Sequence, residues 1–366
     1  MIPFFNFDFE TKKTNNEVIN FSLIINKKGE VIKAWDGYRQ TLINNSHAYR
    51  WQLGKNLIRG EGKETILQKD PKSWLTHDWV IDGEIFYSIE NKVRFIRPHW
   101  NFLTKIEGWS DLWKKVKFLL GPSIPIRLNS VLGFDIKTGK EVYRWNSYDH
   151  FKVYNWYKYG LRKSIYPFLK RGQKIPKRGF DFLHMNSLSI GKAGIWVSFR
   201  DIDHLALLNK ELTKVIKSFD LASLSIHGQH HLTELSSGDI SLFNNNAQKD
   251  IKVTDLPYGP SKAHILSFDN DQILIKRTFN FNRSSAYHGS FFEGDNEYIT
   301  MIANPSHRGI DYIHILNKDF TEKASFKINL PNKKADGAYR FVPYQTPISL
   351  QTKITSTNIS KECLSL

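Results

Sequence analysis

One strand-turn-strand unit recurs four times along this chain, and that repeat restricts the fold more than any other feature. It runs through two apolar residues, an Asn or Asp, a Lys and a turn, and returns as a strand rich in aromatic residues. The copies are IINKKGEVIKAWD (Ile24 to Asp36), GFDIKTGKEVYRWN (Gly133 to Asn146), LLNKELTKVIKSFD (Leu207 to Asp220) and ILNKDFTEKASFKI (Ile315 to Ile328). Alternating strands around a short polar turn, with Lys28-Gly29 and Thr138-Gly139 at the tightest positions, predict β-hairpins.

A second unit opens at a histidine, passes through a short apolar strand to a Gly-containing turn, and returns as another apolar strand. It starts at His77, His184, His230 and His288, and the first unit directly follows the copies at His184 and His288. A module of four short strands repeated along a chain is the signature of β-propeller blades. The reading is all-β: a six-bladed β-propeller with four-stranded blades and short helical insertions. The blades start near Ile24, His77, Asn129, His184, His230 and His288. Residues 1–20 read as an N-terminal extension, 21–350 as the single propeller domain and 351–366 as a polar tail. Helical pattern is confined to Trp109–Leu120 and Asp149–Leu169, expected as insertions on one rim; an α/β fold would need amphipathic helices between strands.

Composition removes other classes. The 366 residues are 40% hydrophobic and 14% aromatic, too apolar for a disordered chain. The best apolar run, Phe118-Leu119-Leu120, is broken by Gly121-Pro122, so no membrane span is expected. The N-terminus lacks the basic region and cleavage site of a secretory signal, which points to a cytoplasmic chain or one whose signal is missing. A single cysteine, Cys363, allows no intrachain disulfide and no cysteine-based zinc site. The net charge of +16 arises from dispersed Lys and Arg, densest between Lys170 and Arg178. Most of it reads as compositional drift; an anionic small ligand is the next reading, and no nucleic-acid partner is expected.

In a propeller the innermost strands line the central channel, so histidines opening four of them would converge at one mouth: His77, His184, His230 and His288. Such a cluster could hold a metal, perform general acid/base chemistry, or supply a nucleophile whose neighbours neutralise a transferred group. Arg200 ends the hairpin that His184 opens and would approach the same mouth, where its donor fork suits a sulfate or phosphate; a salt bridge to Asp201 or Asp203 is the plainer role.

These residues resemble the arylsulfotransferase (aryl-sulfate sulfotransferase) family. The similarity lies in FDFLHMNSLSIGKAGIWVSFRDIDHLALLNKE (Phe180 to Glu211) and GQHHLTELSSGDISLFNNN (Gly228 to Asn246). Asp181, His184, Asn186, Ser187, Ser198, Arg200, Gln229, His230 and Phe243 stand where the family pattern has them. THDWVIDGEIFYSIE (Thr76 to Glu90) and GFDIKTGKEVYRWNSYDHF (Gly133 to Phe151) resemble earlier family segments, and the likeness runs from about Tyr49 to Arg340. The family's Phe-Asp-Asn-Gly turn is Phe243-Asn244-Asn245-Asn246 here, and His231 follows His230.

The resemblance implies a sulfuryl transfer from an aryl sulfate to a phenolic acceptor through a covalent sulfohistidine. His230 would be the nucleophile, and His77, His184 and Arg200 would hold the sulfuryl oxygens. Asn186, Gln229, His231 and His288 are expected to contact substrate. No metal, cofactor or nucleotide sulfate donor is implied, and the partners are small molecules. A propeller that binds an anionic ligand or protein at the same mouth without turning it over is the alternative. Exported relatives carry a signal, so a periplasmic location would fit the family.

Overall fold

The computed structural model describes residues 63–96, 124–151, 178–181, 183–248, 259–269, 272–285, 289–294, 296–303 and 310–329, with strands at 4–12, 18–25, 31–36, 41–44, 47–51, 56–59, 256–257 and 335–344. Almost all regular structure there is antiparallel β. The chain opens with β1 (Phe4–Lys12), β2 (Val18–Ile25) and β3 (Val31–Asp36), and continues with the sheet of β4 (Thr41–Asn44), β5 (His47–Trp51), β6 (Asn56–Arg59) and β7 (Lys63–Ile66). The next sheet holds β8 (Ser73–Asp82), β9 (Ile85–Ile96), β10 (Ile124–Asp135) and β11 (Glu141–Asn146), with β12 (Phe180–Asp181) laid parallel along the start of β10.

Then come β13 (Met185–Ile190), β14 (Ile195–Phe199), β15 (His204–Leu208) and β16 (Val215–Asp220), paired in order. β17 (His230–Glu234) and β18 (Ile240–Asn244) are followed by a small ribbon, β19 (Ala247–Gln248) with β20 (Leu256–Pro257). β21 (Lys262–Asp269) and β22 (Gln272–Asn280) complete the β17–β18 sheet. β23 (Ser290–Glu293), β24 (Glu297–Ala303), β25 (Ile310–Asn317) and β26 (Glu322–Asn329) form the next. The last described strand, β27 (Ala335–Tyr344), pairs with β1, so the first sheet reads β27-β1-β2-β3 and joins strands from distant parts of the chain.

The repeated hairpins are present, and each is the outer pair of its sheet: β2–β3, β10–β11, β15–β16 and β25–β26. Their Asn or Asp shapes the turn. Asn209 Oδ1 accepts the Thr213 and Lys214 N–H groups at 2.9 Å, and Asp135 Oδ1 accepts the Thr138 N–H at 2.7 Å. Since these units end sheets, they misplace two expected starting points. Ile24 lies near the end of β2 and Asn129 midway along β10, the third strand of its row, while β1 and part of β2 occupy the supposed extension 1–20. Of the expected helical insertions, only a single turn at Ser147–His150 falls within the described residues, and the tail 351–366 lies outside them.

Each sheet from β8 onward buries both faces. In β14, Ile195, Val197 and Phe199 join Ile89, Val131 and Trp145 of the preceding sheet in one core, while Trp196 points the other way, toward Leu232, Ile240 and Leu266 of the following sheet. In the same way Leu242 faces back and Phe243 forward, against Phe291 and Ile302. Side chains alternate across a strand, so a strand between two cores must be apolar at nearly every position. That is why IWVSF and ISLF read as continuous apolar runs. At one edge, β13 lies against β8 and β17, β17 against β23, and β23 against β27.

Candidate functional site: a bulged row of adjacent strands

Strands β8, β13 and β17 each carry a bulge near their start. The register skips between Leu75 and Trp79, between Met185 and Ser187, and between His230 and Leu232. A bulge inserts a residue without a cross-strand partner and re-aims the side chains around it. Two histidines here take up left-handed backbone, His184 with φ 49° and His231 with φ 45°, a region that non-glycine residues enter sparingly.

His230 is 6% exposed, and its ring is held by two oxygens. Nδ1 lies 2.5 Å from Asn245 Oδ1 and 3.2 Å from the Gly228 carbonyl. The amide of Asn245 is oriented by its other end, where Nδ2 donates to the Ser285 carbonyl at 2.7 Å. Ser261 Oγ ties this loop together, donating to the Asn245 carbonyl and accepting the Ser285 N–H. Both neighbours of His230 Nδ1 are acceptors, so Nδ1 carries a hydrogen and, in the neutral ring, Nε2 holds the lone pair. His231 turns to the following sheet instead: its Nδ1 accepts the Phe291 N–H at 3.4 Å and its ring sits 4.1 Å from that of Phe292.

The His184 side chain is 37% exposed. Its Nδ1 is 3.1 Å from Asp181 Oδ2, and the same carboxylate takes Arg127 Nη1 at 2.7 Å. Burial by itself raises the Asp181 carboxyl, but the attraction of His184 and Arg127 outweighs it and holds the group below the usual carboxylate range. Arg200 is brought to His184 by the backbone, its N–H donating to the His184 carbonyl at 3.0 Å. Its guanidinium is 4% exposed and meets Asp201 Oδ1 at 3.0 Å, the ion pair that was the plainer expectation.

The expected histidine equivalence shifts by one residue. Met185 pairs with Phe199 as His230 pairs with Phe243, so His184 precedes its strand while His230 begins its own. His77 lies inside the bulge of β8, and His288 lies outside the described residues. Asn186 and Gln229 act as clamps between sheets. Asn186 Nδ2 donates to the Gln229 carbonyl at 2.6 Å, and Gln229 Nε2 to the Phe199 carbonyl at 3.0 Å.

Two groups have roles that the sequence does not show, Asn245 and Asp203, the latter expected only as a possible partner of Arg200. Asn245 was visible only as part of a divergent turn, with no hydropathy or spacing signal for its role. Asp203 holds His227 Nδ1 at 2.9 Å and the Gly228 N–H at 2.9 Å, pinning the segment that leads to His230; the Gly228 beside it was the available hint. Among the described residues, no three His, Cys, Asp or Glu side chains converge as a metal site, and no helix is long and apolar enough to cross a membrane.

No protein-family model matches the chain, and no curated protein matches it. Among solved structures it is similar to apo AztD from Citrobacter koseri, with 7% identity over 94% of this chain and 98% of that one, at a TM-score of 0.41. A protein of unknown function from Dyadobacter fermentans shares 14% identity over 90% and 83%, at 0.40. BamB from Moraxella catarrhalis shares 8% identity over 85% and 80%, at 0.30.

Proposed function

We propose that the chain is a six-bladed β-propeller and an aryl-sulfate sulfotransferase that works through His230. The ring reading is supported by the succession of four-stranded sheets packed face to face, by the row of adjacent first strands, and by the pairing of β27 with β1, which brings the last described strand back to the first.

The observation that carries the functional reading is the fixed tautomer of His230. An imidazole whose Nδ1–H is held by Asn245 and Gly228 offers Nε2 as a nucleophile. In the first half-reaction Nε2 attacks sulfur, the N–S bond forms, the bond from sulfur to the aryl oxygen breaks, and a phenolate leaves. The sulfurylated ring then carries positive charge, which the two oxygens at Nδ1 stabilise. In the second half-reaction the acceptor phenol oxygen attacks the same sulfur, the N–S bond breaks, and the acceptor's proton replaces the one taken up by the departed phenolate. His184, Arg200 and His77 are the groups proposed to hold the sulfuryl oxygens.

A binding-only propeller is the second reading, favoured by the pairing of Arg200 with Asp201, which already neutralises that guanidinium. Incubation with 4-nitrophenyl sulfate and phenol separates the two. Transfer predicts nitrophenolate release with an initial burst, a mass gain of one SO3 on the peptide bearing His230, loss of both in His230→Ala, and their survival in His231→Ala. Folded wild-type protein that releases no nitrophenolate refutes the transfer reading.

A further inference from the structure

We propose that Arg178, braced on Trp74, is the docking point for an anionic group on the substrate, so that the site selects aromatic acceptors carrying a carboxylate. This rests on the sulfuryl-transfer reading for the identity of the ligand, but not for the existence of the subsite.

Arg178 closes the densest basic run of the sequence, Lys170 to Arg178, which no other part of the site uses. Its place is set by backbone. Gly179 has φ 68°, and a Cβ there would come within 2.9 Å of the Ile126 carbonyl carbon, so the chain turns tightly against β10. β12 then pairs in parallel with β10, setting Asp181 opposite Arg127. Both guanidinium groups lie over the part-buried Trp74 ring, Arg178 Cζ at 5.4 Å and Arg127 Cζ at 5.6 Å from its centroid. Arg127 Nε also donates to the Arg178 carbonyl at 3.5 Å.

The two arginines differ in what they face. Arg127 is neutralised by Asp181, the carboxylate that also takes His184. Arg178 is exposed, and among the described residues its guanidinium meets no carboxylate. A cation stacked on an indole keeps its planar fork of donors pre-ordered at low entropic cost, and that fork matches a carboxylate. The row Trp74, Arg178, Arg127, Asp181, His184 leads from this cation to the histidine beside Arg200. A ligand with its phenol near His184 would lay an acid at its far end toward Arg178.

The probes are 4-hydroxyphenylacetate and its neutral isostere 4-hydroxyphenylacetamide, titrated calorimetrically into the wild-type protein and into Arg178→Gln and Trp74→Leu. The wild-type protein should bind the acid about fivefold tighter than the amide, as befits a partly exposed bidentate pair, and the ratio should shrink with added salt. Arg178→Gln should bring the ratio to one, and Trp74→Leu should lower it. Equal binding of acid and amide by the wild-type protein, or a preference that survives Arg178→Gln, overturns the proposal. The same ligands offered as acceptors with 4-nitrophenyl sulfate test the other layer: acid that binds at Arg178 but is never sulfated leaves the subsite standing and removes the transferase reading.

Discussion

Asn245 Oδ1 sits against His230 Nδ1, and the far end of the same amide is anchored on the Ser285 carbonyl. Both contacts come from the chain itself, so in the neutral imidazole the lone pair of His230 lies at Nε2. Asn245→Ala removes that anchor and leaves a buried imidazole N–H short of an acceptor, at about 1 to 3 kcal/mol. The burst rate with 4-nitrophenyl sulfate should fall about 10- to 100-fold. Asn245→Asp retains an acceptor and stabilises the imidazolium, so it should recover part of the rate and move the pH optimum upward. A pH profile of the burst for both variants checks this.

Gly228 joins the two features that position His230, because its N–H is held by Asp203 and its carbonyl faces His230 Nδ1. With φ 63°, its Cβ would stand 2.2 Å from the Ala247 carbonyl oxygen. Gly228→Ala combines an unfavourable left-handed conformation, roughly 1 to 2 kcal/mol, with that clash. A loss of at least about 2 kcal/mol in a urea titration is expected, together with reduced transfer.

Asp181 serves two partners, Arg127 and His184, so Asp181→Asn should act on both. Arg127 and His184 each lose a charge-assisted contact, and the stability should drop by roughly 1.5 to 3 kcal/mol. Transfer should slow about tenfold as the His184 ring loses its orientation, with Asp181→Glu less affected. Denaturation curves and steady-state rates on the two variants test this.

Stability should fall in mild acid because of His264. Its ring is 3% exposed, Nδ1 meets Thr278 Oγ1 at 2.9 Å, and Nε2 lies 3.2 Å from Asn244 Nδ2. Burial pushes the imidazole down to about 4, with Lys262 adding to the effect. The unfolded chain takes up a proton near 6.5 and the folded one near 4, so below 6.5 the unfolded state binds more protons. Stability from this group is therefore full above 6.5, declines as pH falls toward 4, and levels off below it. The total loss is about 3 kcal/mol at most. Urea midpoints at about pH 7 and about pH 5 should differ less in His264→Gln than in the wild-type protein.

Much of the architecture is legible one strand at a time. Turn chemistry at Asn209, Asp135 and Gly139 is local, and so the outer hairpins can be found from adjacent residues alone. The meeting of Arg200 with His184 also follows from a single hairpin, whose two ends must lie side by side. Register is harder to read. A bulge costs one unpaired residue and leaves no compositional mark, so His184 and His230 look equivalent in the sequence while Met185 is the true counterpart of His230.

The sequence by itself determined an all-β chain of repeated hairpins with buried apolar strands, and set Arg200 beside His184 at the two ends of one hairpin. Tertiary structure decided what those side chains do. It anchored His230 Nδ1 on Asn245, tied Arg127 and His184 to the one carboxylate of Asp181, and turned Gln229 and Asn186 into clamps between sheets. The division has a physical cause. Turns and apolar alternation are written in residues a few positions apart, whereas a histidine's tautomer and an arginine's charge depend on partners that only packing between neighbouring strands and sheets brings within hydrogen-bonding distance.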